Sequence, residues 1–123
     1  MTGISRILVV EDQILILLDL LEGLADHGFE TLPLYTTEGA AATLLNTRID
    51  ALVTDIELPG PISNLELTRQ AEKLRPGLPI VVMSGGVRPA PGDLPPGAVF
   101  VPKPCTVHQI VSALRRQASM AAA

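Results

Sequence analysis

Cysteine occurs once in this 123-residue chain, at position 105, so no disulfide can form within it. The N-terminus lacks the basic segment, apolar stretch and cleavage site of a secretory leader, and the expected compartment is the cytoplasm. Long hydrophobic runs are also missing. The longest, Ile14 to Leu18, falls far short of what a bilayer-spanning helix needs. Positive charge is scarce, 9 Lys and Arg against 13 Asp and Glu, so nothing electrostatic points to nucleic acid or an anionic membrane as a partner. No internal repeat is found. What the chain does have is a 47% hydrophobic composition, enough for a real core, at a length that suits one domain over residues 1–123.

Short apolar runs alternate with helical stretches, the pattern of βαβ units around a parallel sheet. The spacing predicts β1 over about Arg6 to Val10, α1 over Gln13 to His27 stopped by Gly28, and a weak β2 over Glu30 to Leu34. Pro33 cannot donate to a sheet ladder, which makes β2 an edge strand and suits the doubly wound order 2-1-3-4-5. Thr37 is expected to cap α2, from about Glu38 to Asn46. Then come β3 over Ala51 to Thr54, α3 over Asn64 to Leu74, β4 over Ile80 to Met83, and β5 over Val99 to Val101. Thr106 should cap the last helix, α4, which runs to about Gln117. The crossover between β4 and β5 is abnormal: eight of the thirteen residues between Ser84 and Ala98 are glycine or proline. The helix that a doubly wound fold carries there is expected to be missing or reduced to a turn.

Four of the strands run into polar residues of different kinds. β1 leads to Glu11 and Asp12, β3 to Asp55, β4 to Ser84, and β5 to Pro102, Lys103 and Pro104. In parallel strands these all lie at the carboxyl edge of one sheet, where open α/β sheets bind ligands. Three carboxylates brought together repel one another unless a cation intervenes, and a hard divalent ion such as magnesium is the usual remedy. Lys103 adds a fixed positive charge and Ser84 a hydroxyl. Such a set neutralises the charge on the oxygens of a transferring phosphoryl group.

With VVED at Val9 to Asp12, TDIELPG at Thr54 to Gly60, MSGG at Met83 to Gly86 and FVPKP at Phe100 to Pro104, the chain resembles the receiver domain of two-component response regulators over essentially its whole length. The resemblance implies a five-stranded flavodoxin-like fold. It implies that Asp55 is the phosphoacceptor, and that Glu11, Asp12, Asp55 and the backbone carbonyl of Glu57 hold Mg2+. By the same resemblance Ser84 and Lys103 contact the phosphoryl group, Phe100 stands with Ser84 at the switch, and the Lys103 to Pro104 bond is cis. The expected function is that of a stand-alone regulator. It takes a phosphoryl group from a histidine kinase or histidine phosphotransfer protein, then binds a partner or passes the group on, with no separate substrate of its own. An interaction or dimerisation module independent of phosphorylation is the alternative. A haloacid-dehalogenase-like phosphatase ranks last, because that family's second Asp is replaced here by Glu57. His27 and His108 lack a paired ligand and read as structural or solvated, and Cys105 as a packing residue.

Two local features depart from the family pattern. The loop after Pro59 is one residue longer than usual, and Asn64 is the residue best suited to a left-handed position there. The other departure is the abnormal crossover before β5. Helix α1 is apolar almost all round. At about 100° per residue, periodicity alone would bury Ile14, Leu17, Leu18, Leu21 and Ala25. Aligned on the receiver pattern, the core face becomes Ile16, Leu20, Gly23, Leu24 and His27. That alignment leaves Ile14, Leu17, Leu18 and Leu21 as an outward stripe, a candidate surface for a homodimer or a kinase.

Overall fold

Each apolar run forms a parallel strand. In the computed structural model, which describes residues 3–57, 63–86, 88–90 and 92–122, β1 is Arg6–Val10, β2 Glu30–Leu34, β3 Ala51–Asp55, β4 Ile80–Ser84 and β5 Val99–Pro102. They pair in the order β2-β1-β3-β4-β5, parallel throughout, as the sequence predicts. The order reverses between β1 and β3, so the crevice at the carboxyl ends of these two strands is the switch point of the sheet. Pro33 stands opposite Val9 on the edge strand β2, and Pro102 opposite Ser84 on the other edge strand, β5.

Successive side chains along a strand point to opposite faces, and both faces here are covered. Ile7, Val9, Ala51, Val53, Val81 and Met83 pack with α1 (Ile14–Asp26) and α4 (Val107–Ala122). Leu8, Val10, Leu52, Ile80 and Val82 pack with α2 (Thr37–Asn46) and α3 (Asn64–Leu74). No helix occurs among the described residues between β4 and β5. Leu94 and Ala98 of that crossover instead lie against the cluster on the second face, and Pro95 is buried. The loop thus covers the sheet where a helix would. Asp93 fixes it by accepting the Ala90 N–H at 2.7 Å and by receiving, on its carbonyl, a bond from the Arg69 guanidinium of α3.

The helix ends follow from local chemistry. Gly28, at φ 90°, closes α1 with the paired bonds Gly28 N–H to Ala25 and Phe29 N–H to Leu24, the pattern of a glycine stop. Thr106 and Gln109 cap α4 reciprocally, each side chain accepting the other's backbone N–H. The cap of α2 is Thr36, whose hydroxyl accepts from Gly39, rather than Thr37, which is buried in the first turn. Asn64 does not take a left-handed conformation either: no described residue other than glycine has positive φ. It opens α3, and Ser63 is the cap, accepting from Glu66. The lengthened loop after Pro59 itself lies outside the described residues.

Helix α1 corrects both sequence-derived phases. The buried line is Leu17, Leu20 and Leu24, which runs between them. Leu17 is only 1% exposed and Leu21 is half-buried against the core, whereas Ile14 and Leu18 are open to solvent together with Leu15. Apolar residues on every side leave periodicity without a contrast to read, so packing decides the phase. Gly23 faces α4 so closely that a Cβ there would sit 2.4 Å from a methyl of Val107. His27, expected in the core, is exposed at the helix end, where its ring Nδ1 pairs with the Gly23 carbonyl. α4 runs five residues beyond the expected end at Gln117, to Ala122. None of the helices among the described residues is long and apolar enough to cross a membrane.

Candidate functional site

The strand ends converge as their order dictates. Glu11 follows β1 and is completely buried; its Oε1 accepts from Lys103 Nζ at 2.9 Å and its Oε2 from the Gln13 N–H at 3.1 Å. Asp55 closes β3, 4% exposed, with Oδ2 2.6 Å from Lys103 Nζ and Oδ1 accepting the Glu57 N–H at 2.7 Å. Asp12 stands exposed beside them. Ligand oxygens of Glu11, Asp12 and Asp55 lie within 4.8 Å of one another. The Lys103 N–H donates to the Ser84 carbonyl at 2.8 Å, which fastens the end of β5 to the end of β4, and the Lys103–Pro104 peptide bond is cis. Asp12, Gln13, Ile16, Asp55, Glu57, Gly85, Gly86 and Lys103 line a cavity of about 350 Å³ over this cluster.

Burial pushes the Glu11 carboxyl above its ordinary range, against the Lys103 and Gln13 bonds that pull it down. Burial also works to lower Lys103, but its hydrogen bonds to Asp55 and Glu11 outweigh that effect and hold the ammonium above its ordinary value. One ammonium faces three carboxylates, so negative charge remains in excess at the mouth of the cavity. A hard divalent cation with oxygen ligands fits that donor set. The arrangement presents a buried carboxylate with a fixed cation against it.

Ser84 is buried and donates its hydroxyl to the Glu57 carboxylate. That contact was not legible in the sequence, where Glu57 figures only through its backbone carbonyl. No signal in the sequence marked it, because Gly85 and Gly86 donate to Glu57 through backbone N–H groups that every residue but proline carries. Phe100 is half-buried beside the crossover, with the Arg88 guanidinium 5.3 Å from its ring centroid. Among the α1 residues, the exposed Ile14, Leu15 and Leu18 stand on the first turns after the acidic pair, close to the cavity in sequence.

Comparison with known proteins agrees with this geometry. The family model described as response regulator receiver domain matches residues 7–115. A response regulator receiver protein from Sinorhizobium medicae WSM419 is similar at 28% identity and a TM-score of 0.88, over 97% of this chain and 98% of that one. NtrX from Brucella abortus is 27% identical with a TM-score of 0.83, over 97% of this chain but 28% of the larger protein. A CheY-like receiver domain protein from Methanospirillum hungatei JF-1, at 22% identity and a TM-score of 0.84 over 97% of each chain, shares the fold. Among curated proteins no match was found. Sheet order, acidic cluster and family match together make this chain a member of the response regulator receiver domain family.

Proposed function

We propose that the protein accepts a phosphoryl group on Asp55 from a histidine kinase or histidine phosphotransfer protein, in a magnesium-dependent reaction, and signals by binding a partner or by passing the group on. The observation that carries this reading is the Lys103 Nζ held 2.6 Å from Asp55 at the centre of the three-carboxylate cluster. Asp12, Asp55 and the Glu57 carbonyl, backed by Glu11, would hold Mg2+. When bound, the ion supplies Lewis-acid charge and a template for the phosphoryl oxygens. An Asp55 oxygen then forms a bond to phosphorus as the bond from phosphorus to the donor's imidazole nitrogen breaks. The electron pair leaves on that imidazole. Lys103 neutralises the charge on the transferred group, the Ser84 hydroxyl donates to one of its oxygens, and Phe100 follows Ser84 as the switch.

The exposed part of α1, Ile14 with Leu18 and the adjoining Leu15, is the surface we assign to the donor or to a second copy. Leu17 does not belong to it, and Leu21 is half-covered. Incubation with magnesium and acetyl phosphate, followed by intact-mass measurement, should add one phosphoryl group. Asp55→Asn should add none. Persistence of the adduct in that variant would remove Asp55 as acceptor.

A further inference from the structure

Glu57 does more than follow Asp55 in the chain. Its Oε1 accepts hydrogen bonds from the Ser84 hydroxyl and, each at 2.9 Å, from the backbone N–H groups of Gly85 and Gly86. Successive backbone N–H groups turned to one point form an anion-binding concavity, and a hydroxyl added to them completes an oxyanion hole. The seat is made by the backbone N–H groups themselves: a Cβ built on Gly86 would lie 3.8 Å from both carboxylate oxygens, ordinary contact. Meanwhile the Glu57 N–H donates to Asp55 Oδ1 at 2.7 Å. One residue therefore spans from the nucleophile to the hole. A dangling surface glutamate would gather no such set of donors.

We propose that the Glu57 carboxylate is a resident occupant of a phosphate-binding hole made by Ser84 Oγ, Gly85 N–H and Gly86 N–H, an internal competitor that an incoming phosphoryl oxygen must displace. The assignment of the displacing group rests on Asp55 as phosphoacceptor. An anionic oxygen of a tetrahedral phosphoryl group asks for the donors a carboxylate oxygen asks for, and one set cannot serve both at once. Phosphorylation then requires two events, bond formation at Asp55 and ejection of Glu57. Ejection frees the Ser84 hydroxyl from its present partner at the same moment that it gains a new one. The competent fraction of the unphosphorylated protein is the fraction with Glu57 swung out, and the apparent affinity for the phosphoryl oxygen is reduced in proportion.

Glu57→Ala empties the hole, and Glu57→Asp keeps the charge but shortens the arm by one methylene, which separates seating from simple repulsion. Inorganic phosphate is titrated into each protein with magnesium absent, and the Gly85 and Gly86 amide resonances are followed. Phosphate should bind Glu57→Ala and Glu57→Asp about tenfold more tightly than wild type, centred on those two amides. Acetyl phosphate with magnesium should also phosphorylate both variants faster. Equal phosphate affinity in all three proteins overturns the proposal, and so does a Glu57→Asp variant that behaves as wild type while Glu57→Ala binds, since charge alone would then be responsible. If no protein is phosphorylated but phosphate still enters the variants' hole, the occupant is established and Asp55 as acceptor is the reading that fails.

Discussion

Leu17 and Leu18 are neighbours in the chain and opposites in environment, one 1% exposed and the other 53%. An aspartate at Leu17 must either bury its charge among Leu20, Leu24 and the strands or drag α1 off the sheet. Leu17→Asp should therefore lose at least about 3 kcal/mol in urea unfolding, while Leu18→Asp stays within about 0.5 kcal/mol of wild type. Similar losses for both would mean that the outer turn of α1 is packed as well. Cys105 offers a titration at the same scale. Burial pushes its thiol up, against the pull of the Lys103 charge, so less thiolate is present at any given pH than in the unfolded chain. The iodoacetamide rate, followed by mass between about pH 7 and 10, should reach half its maximum at a higher pH in the folded protein than in the denatured one. An inflection at lower pH would show that Lys103 dominates.

At the scale of the element, the last helix does something its sequence conceals. Gln117, only 8% exposed, gives its side-chain carbonyl to the N–H of Ile80 at 2.7 Å, the first residue of β4, and its amide to the Ala113 carbonyl. The helix thereby satisfies a strand end that no neighbouring strand serves there. Gln117→Leu keeps the volume and removes the acceptor, leaving a buried N–H unpaired, which should cost about 1–3 kcal/mol. Gln117→Glu retains an acceptor. Chemical denaturation of the two variants checks this, and a Leu variant as stable as wild type would show that water replaces the glutamine.

Four of the strands were legible because their apolar runs end abruptly at Glu11, Asp55, Ser84 or Pro102, and chain order does the rest. The carboxylate cluster with Lys103 was legible for the same reason, since parallel strands of similar length deliver their last residues to one edge. What escaped depends on contacts between distant residues. A glutamine in a helix gives no sign that it reaches a strand thirty-seven positions away. Glu57 gives no sign that Gly85 and Gly86 will fold back to it. The phase of α1 escaped because leucines on all sides carry no contrast, and the cap of α2 was misread by one residue because two adjacent threonines are equivalent on paper.

The whole molecule is an open sheet, and an open sheet has two bare edges. On β2 the Glu30 N–H and the Leu34 carbonyl turn inward to bonds with Ser5 and Glu11, so by alternation Thr31 and Pro33 face out. On β5 the Lys103 N–H turns inward to Ser84, so Phe100 and Pro102 face out. Each edge strand carries its proline on the side where a foreign strand would look for a donor, and each is left with one outward N–H. Growth of the sheet by strand addition is thus disfavoured at both margins. Replacing both prolines with valine should leave the circular dichroism spectrum unchanged yet raise light scattering on prolonged incubation at high concentration. A double variant as monodisperse as the parent would assign that protection to the charged residues near the edges. The two imides act as end stops, keeping a five-stranded sheet from serving as the seed of a fibril.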